Sequence, residues 1–462
     1  MSILPLADNK SRGAIPIWLV NEKDWETQCA ALPSFASASA KACNYKAKPG
    51  QHLVVLNKNA IGGVLFGIGA PNDSDYDPFV VGLLPQLLPA GVYRFALPPS
   101  KPELAALAWL LGSYTFTRYI KKNESTAQLV TPRGVDKDEV YRIAEAISWG
   151  RDLINTPACD MGPADLEKAV EKLGKKHGAK VKSVKGEKLL EKNFPLIYAV
   201  GQAAEAEPRL VTLSWGNKED PVVTLVGKGV AFDTGGLDIK PSGSMLLMKK
   251  DMGGAATALA LGDMIMGANL PIRLNIVVPA VENAISSNAF RPGDIFFSRK
   301  GISVEVGNTD AEGRLILADA LALADEDSPE ILIDFATLTG AARVALGPDL
   351  PPFFTRDDAL ADQILKTGFA IHDPVWRLPL WEPYKAYITP DYADLNNSAG
   401  TSFAGSITAA LFLDRFVEAA KSYVHFDVFA WTPSAKPGLP KGGEIQSARL
   451  IYELLRKRYP KK

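Results

Sequence analysis

Between about residues 163 and 335 the chain alternates β-rich runs with helical ones, and this alternation limits the fold more than any other feature. Residues 179–184, 196–200, 210–215, 222–226, 273–278, 302–306 and 331–335 are strand-length runs rich in aliphatic residues. Among them, residues 165–177, 254–267 and 315–325 carry apolar side chains at helical spacing. Strands separated by helices pair in parallel, and a parallel sheet needs cover on both faces. The expected class is therefore α/β, with a mostly parallel, helix-covered sheet. Ligands of such sheets gather at the carboxyl ends of the strands.

A chain of 462 residues is too long for one ordinary domain. Residues 1–130 read as a smaller N-terminal α/β domain, with strands at 14–20, 52–56 and 63–67 and a helix over 103–119. They hold no cluster of acids or histidines, so an assembly or substrate-restricting role is expected. Residues 136–153 form one amphipathic helix with acids in its first turn, inside a connecting segment at 131–160. Residues 161–462 are the expected catalytic domain.

The net charge of -1 offers no global field for nucleic acid or an anionic membrane. Basic clusters at 172–192 and 455–462 read as solvated faces, so DNA binding is not expected. The three cysteines, Cys29, Cys43 and Cys159, are scattered and suit a reducing compartment. Residues 1–18 lack a basic segment followed by a long apolar one, and no apolar run is long enough to span a bilayer. The expected compartment is the cytoplasm.

The chemistry lies in three motifs. The octet Asn308-Thr309-Asp310-Ala311-Glu312-Gly313-Arg314-Leu315 sets two carboxylates two residues apart between a strand-like run and a helical one. Lys228, Asp233 and Lys240 follow the run at 222–226 among glycines that permit tight turns. Asp251 lies in Met248-Lys249-Lys250-Asp251-Met252-Gly253-Gly254, where its plain role would be a helix N-cap. The sheet would bring Asp233, Asp251, Asp310 and Glu312 together. Four carboxylates at close range repel unless cations neutralise them, and two divalent ions sharing bridging carboxylates resolve that conflict. Lys228 and Lys240 add positive charge or, if deprotonated, a nitrogen ligand. Oxygen-rich ligation without histidine suits hard ions, and zinc also accepts carboxylates. The phosphate loop G-x-x-x-x-G-K-[ST] and the nucleophile elbow G-x-S-x-G are both missing. None of the four histidines, His52, His177, His372 and His425, falls in a motif.

Together these segments resemble the leucyl aminopeptidase family of two-metal cytosol aminopeptidases. NTDAEGRL is that family's signature, and VGKGVAFDTGG, Lys240 and MKKDMGG match its other segments in order and spacing. Residues 151–157 (RDLINTP), 334–341 (DFATLTGA) and 405–416 (GSITAALFLDRF) extend the match. The resemblance implies a hydrolase that releases N-terminal amino acids from short peptides, in peptide catabolism. It implies two divalent ions per subunit, zinc or manganese, with magnesium and cobalt as alternatives. Lys228, Asp233, Asp251 and Glu312 would hold the tighter ion, and Asp233, Asp310 and Glu312 the exchangeable one. Lys240 would polarise the scissile carbonyl. Arg314 would anchor a bicarbonate acting as general base on a metal-bridged hydroxide. Met248, Thr337 and Gly340 match positions near the pocket for the substrate's first side chain, and Leu338 lies beside its backbone. A homohexamer is also implied. Near the C-terminus, where many relatives carry Thr-Gly-Arg-Pro, this chain has residues 441–449 (KGGEIQSAR), and residues 429–440 are distinctive as well. That region helps shape the substrate pocket in the family, so a preference for leucine does not carry over.

Overall fold

The computed structural model describes residues 6–8, 11, 13–70, 76–121 and 126–461. It contains two compact units: Met1–Ser148 with Pro433–Lys441, and Trp149–Thr432 with Gly442–Lys462.

In the first unit, a five-stranded sheet runs in the order His52–Asn57, Ala60–Gly67, Ile15–Val20, Gly91–Phe95, Ala127–Leu129. Only the hairpin of the first two is antiparallel. The helix Pro102–Ser113 is buried from Ala105 to Ser113. Close packing explains its Gly112, where a Cβ would fall 1.9 Å from the carbonyl oxygen of Gly82. The helix stops at Ser113, not at residue 119 as the spacing predicts. Tyr114 turns extended (φ −59°, ψ 134°), and the β-branched Thr115 and Thr117 that follow favour extended backbone.

The second unit is built on a sheet in the order Trp376–Arg377, Pro352–Phe354, Tyr423–Asp427, Ile331–Ala336, Val222–Gly227, Arg273–Asn283, Arg209–Trp215, Lys180–Lys185. The four strands from Tyr423–Asp427 to Arg273–Asn283 are parallel, and antiparallel neighbours flank them. These central strands are almost wholly apolar and buried, as a sheet covered on both faces requires. The helix Gly253–Gly267 is buried from Gly253 to Met266, so it shows no amphipathic stripe.

Two expectations need correction. Residues 196–200 are not a strand but part of the helix Pro195–Gly201. Pro195 sits at its start, and the buried Asp319 carboxylate accepts from the free N–H groups of Leu196 (2.8 Å) and Ile197 (3.3 Å). The run at 302–306 forms the strand Ser303–Glu305, but in a separate three-stranded sheet with Ile295–Phe297 and Leu395–Asn396.

A buried ion pair ties distant parts of this unit. Arg151, with no solvent exposure, reaches Glu444 Oε2 at 2.9 Å from Nε and 2.7 Å from Nη2. Nearby, the N–H of Gly443 donates to Asn155 Oδ1 at 2.8 Å.

Candidate metal centre

The site begins where the strand Val222–Gly227 breaks. Lys228 takes its backbone out of register, donating its N–H to Phe335 O, before Gly229–Asp233 resumes pairing with Arg273–Asn283. The Lys228 side chain is buried, with Nζ 2.8 Å from Asp251 Oδ2 and 2.9 Å from Glu312 Oε1, and it donates to Thr337 O at 3.0 Å. Gly313 makes room for it, since a Cβ there would lie 2.5 Å from Lys228 Cε.

Asp233 closes the resumed strand. Its Oδ1 accepts from Gly235 N (2.9 Å) and Asn283 Nδ2 (2.8 Å), and its Oδ2 faces Lys240 Nζ at 2.8 Å. Asp251 follows the 3₁₀ turn Met248–Lys250 and does not cap the helix Gly253–Gly267, whose N-cap is Met252. Instead it accepts from Thr337 Oγ1 at 2.7 Å, which aims it into the cluster. Asp310 and Glu312 stand on a loop pinned from both sides. Thr309 donates to Gly235 O and Asp238, and Asn397 brackets the loop from Gly307 N to Ala311 O. The helix Glu312–Asp325 starts at Glu312 itself. Lys240 also pairs with Asp310, whose side chain is 35% exposed and the most open of the four acids.

Carboxylate oxygens of Asp233, Asp310 and Glu312 all lie within 4.8 Å of one another. Burial, then the charge of Asp233, pushes the Glu312 carboxyl up to about 8 and that of Asp310 up to about 6. Burial alone would lower Lys228, but Asp251, Glu312 and Asp233 hold its ammonium well above the usual lysine range. This is a site with more acidic groups than it can keep ionised, and its oxygen-rich donor set suits divalent cations.

Arg314 lies buried in the first turn of the same helix. Burial lowers its guanidinium to about 10, against the pull of Glu312 and Asp427. Its buried Nε has no hydrogen-bond partner among the described residues. Thr337, Leu338 and Gly340 follow the strand Ile331–Ala336, and Met248 opens the 3₁₀ turn before Asp251. Sequence reasoning missed Asp427, whose carboxylate accepts from the N–H groups of Leu338 and Thr339 (3.1 Å each) and from Thr339 Oγ1 (2.5 Å). Its position at the carboxyl end of a central strand is the signal that was available. Asn283, Thr309 and Asn397, which hold the acidic loops, were missed too.

The cytosol aminopeptidase family catalytic domain matches residues 148–452, and the M17 aminopeptidase N-terminal domain matches residues 15–132. A probable cytosol aminopeptidase of Roseiflexus castenholzii is 35% identical over 94% of both chains. The chain belongs to the cytosol aminopeptidase family. Peptidase B of Pectobacterium atrosepticum is 42% identical over 71% of this chain and 78% of that protein. The crystal structure of a cytosol aminopeptidase from Coxiella burnetii superposes with a TM-score of 0.94 at 43% identity, covering 98% of this chain and 99% of that one. The bottromycin maturation enzyme BotP in complex with Mn gives a TM-score of 0.86 at 29% identity, covering 96% of this chain and 99% of its own. As a member of this family, the chain is a metal-dependent aminopeptidase, an exopeptidase and a hydrolase. No helix among its described residues is long and apolar enough to cross a membrane.

Proposed function

We propose that two divalent ions bind between the acidic side chains, with Lys228, Asp233, Asp251 and Glu312 holding one and Asp233, Asp310 and Glu312 the other. The observation that carries this reading is the convergence of the Asp233, Asp310 and Glu312 carboxylates within 4.8 Å of one another, with Asp251 joined to Glu312 through Lys228, and with Glu312 and Asp310 pushed up in pKa by burial and by Asp233. Zinc and manganese are the favoured ions. When bound, they would supply Lewis acidity, lowering the pKa of water, polarising the peptide carbonyl and selecting a free amino terminus.

The chain's own groups do the rest. Lys240, on the more open side beside Asp310, would place its ammonium against the carbonyl oxygen as that oxygen gains charge, worth about 3–4 kcal/mol. Arg314, buried and with its Nε unmatched, would hold a bicarbonate as the general base. Met248, Thr337 and Gly340 would border the first side chain, and Leu338, fixed by Asp427, would lie along the substrate backbone. The substrates would be short peptides with a free N-terminus, cleaved by a homohexamer in the cytoplasm, with residues 1–130 serving assembly and restricting access.

The test is metal removal. Treatment with a chelator is expected to abolish hydrolysis of aminoacyl amides, and manganese, zinc or cobalt to restore it. Full activity in protein shown by elemental analysis to be metal-free would refute the reading.

A further inference from the structure

Beside the proposed site, two cations share one aromatic ring. Lys250 Nζ lies 4.9 Å from the centroid of Phe429, and the Arg343 guanidinium carbon lies 4.5 Å from the same centroid. Lys250 is only 4% exposed, yet among the described residues its ammonium has no hydrogen bond and no carboxylate at ion-pair distance. Arg343 is exposed and likewise has no acid partner. The carboxylates nearest Lys250 are engaged elsewhere: Asp251 with Lys228 and Thr337, and Asp427 with Leu338, Thr339 and Ser406.

A buried lysine without a counter-ion is costly, and an aromatic face offsets only part of that cost. Setting a guanidinium on the same ring adds repulsion, which an anion between the two would relieve. The pair is also well placed. Arg343 Nη2 lies 3.6 Å from where a Cβ on Gly340 would stand, and Lys250 follows Met248 by two residues.

We infer that Lys250 and Arg343 form a carboxylate-binding subsite that selects peptides with an acidic N-terminal residue, glutamate above all. This rests on the aminopeptidase function and on Met248, Thr337 and Gly340 bordering the substrate's first side chain. Phe429 would supply an apolar wall for the side-chain methylenes, and the two cations would receive the carboxylate. A neutral isostere such as glutamine would leave both charges unanswered, and sites built around charged partners discriminate strongly against such isosteres.

The experiment compares kcat/KM for the arylamides of glutamate, glutamine and leucine, none of which carries a C-terminal carboxylate, using the metal-loaded full chain. Glutamate is expected to exceed glutamine by about tenfold or more, with the difference mainly in KM. Arg343→Met, an exposed change that spares the fold, is expected to bring the ratio close to one, and Arg343→Lys to restore much of it. Lys250→Met should act in the same direction. Equal or better cleavage of the glutamine substrate by the wild-type chain, with leucine well cleaved, would overturn the inference and leave the aminopeptidase function standing. So would a loss in Arg343→Met confined to free dipeptides, which would assign the cations to the substrate's C-terminal carboxylate. Failure to cleave any of the three arylamides would count against the aminopeptidase function itself.

Discussion

Lys240 stands with its ammonium between Asp233 and Asp310, at the more open side of a cluster otherwise sealed from solvent. Replacing it with alanine removes a fixed positive charge without removing a carboxylate. Lys240→Ala is therefore expected to lower kcat by about 10²–10³ while metal content stays at the wild-type level; kinetics combined with elemental analysis checks this, and loss of metal would show that the role is misassigned. The acids themselves were legible in the sequence. Carboxylates crowded into strand-to-helix turns have few purely structural uses, and their converging places follow from the sheet. Lys250, Arg343 and Phe429 were not legible. Singly, each reads as a solvated charge or a core aromatic, and only the fold brings residues 250, 343 and 429 to one point.

At the level of elements, short apolar runs are where sequence and structure part. Residues 196–200 (LIYAV) have the composition of a strand, but Pro195 and the Asp319 carboxylate supply a helix start that periodicity alone does not register. The run at 302–306 reads as extended, yet nothing local says which sheet an extended segment will join. The long helix Lys137–Asn155 was plain from its amphipathic spacing and its early acids. One turn before its C-terminal end it carries Arg151, fully buried against Glu444. Truncating Glu444 removes a carboxylate that receives two charge-assisted contacts from a fully buried guanidinium. Glu444→Ala is expected to cost about 3–5 kcal/mol, read as a lower midpoint of urea unfolding with an unchanged slope; a change within experimental error would contradict the importance assigned to the pair.

For the molecule as a whole, the carboxyl groups of the site, together with Asp319, which burial raises to about 7, contribute to how stability depends on pH. Glu312 is raised from 4.5 to about 8 and Asp310 from 3.8 to about 6 in the folded chain. Between those limits the folded state binds more protons than the unfolded one, so stability falls as pH rises. In the presence of a chelator, the melting temperature is expected to drop from about pH 5 to pH 8. A divalent ion that binds only the folded state should reverse the drop by mass action. A chelated protein whose melting temperature rises over that interval would show that these carboxyls are not held protonated. The Arg151–Glu444 pair spans 293 residues, and Lys228 meets the carbonyl of Thr337 across 109. A catalytic unit fastened across such spans has little that can lock while it is half made. On the ribosome it must wait until residue 444 has been added, then settle in one late, concerted step. An exopeptidase that matures this way gains its cutting power only after its own chain has passed through the stage at which its loose segments are most open to trimming.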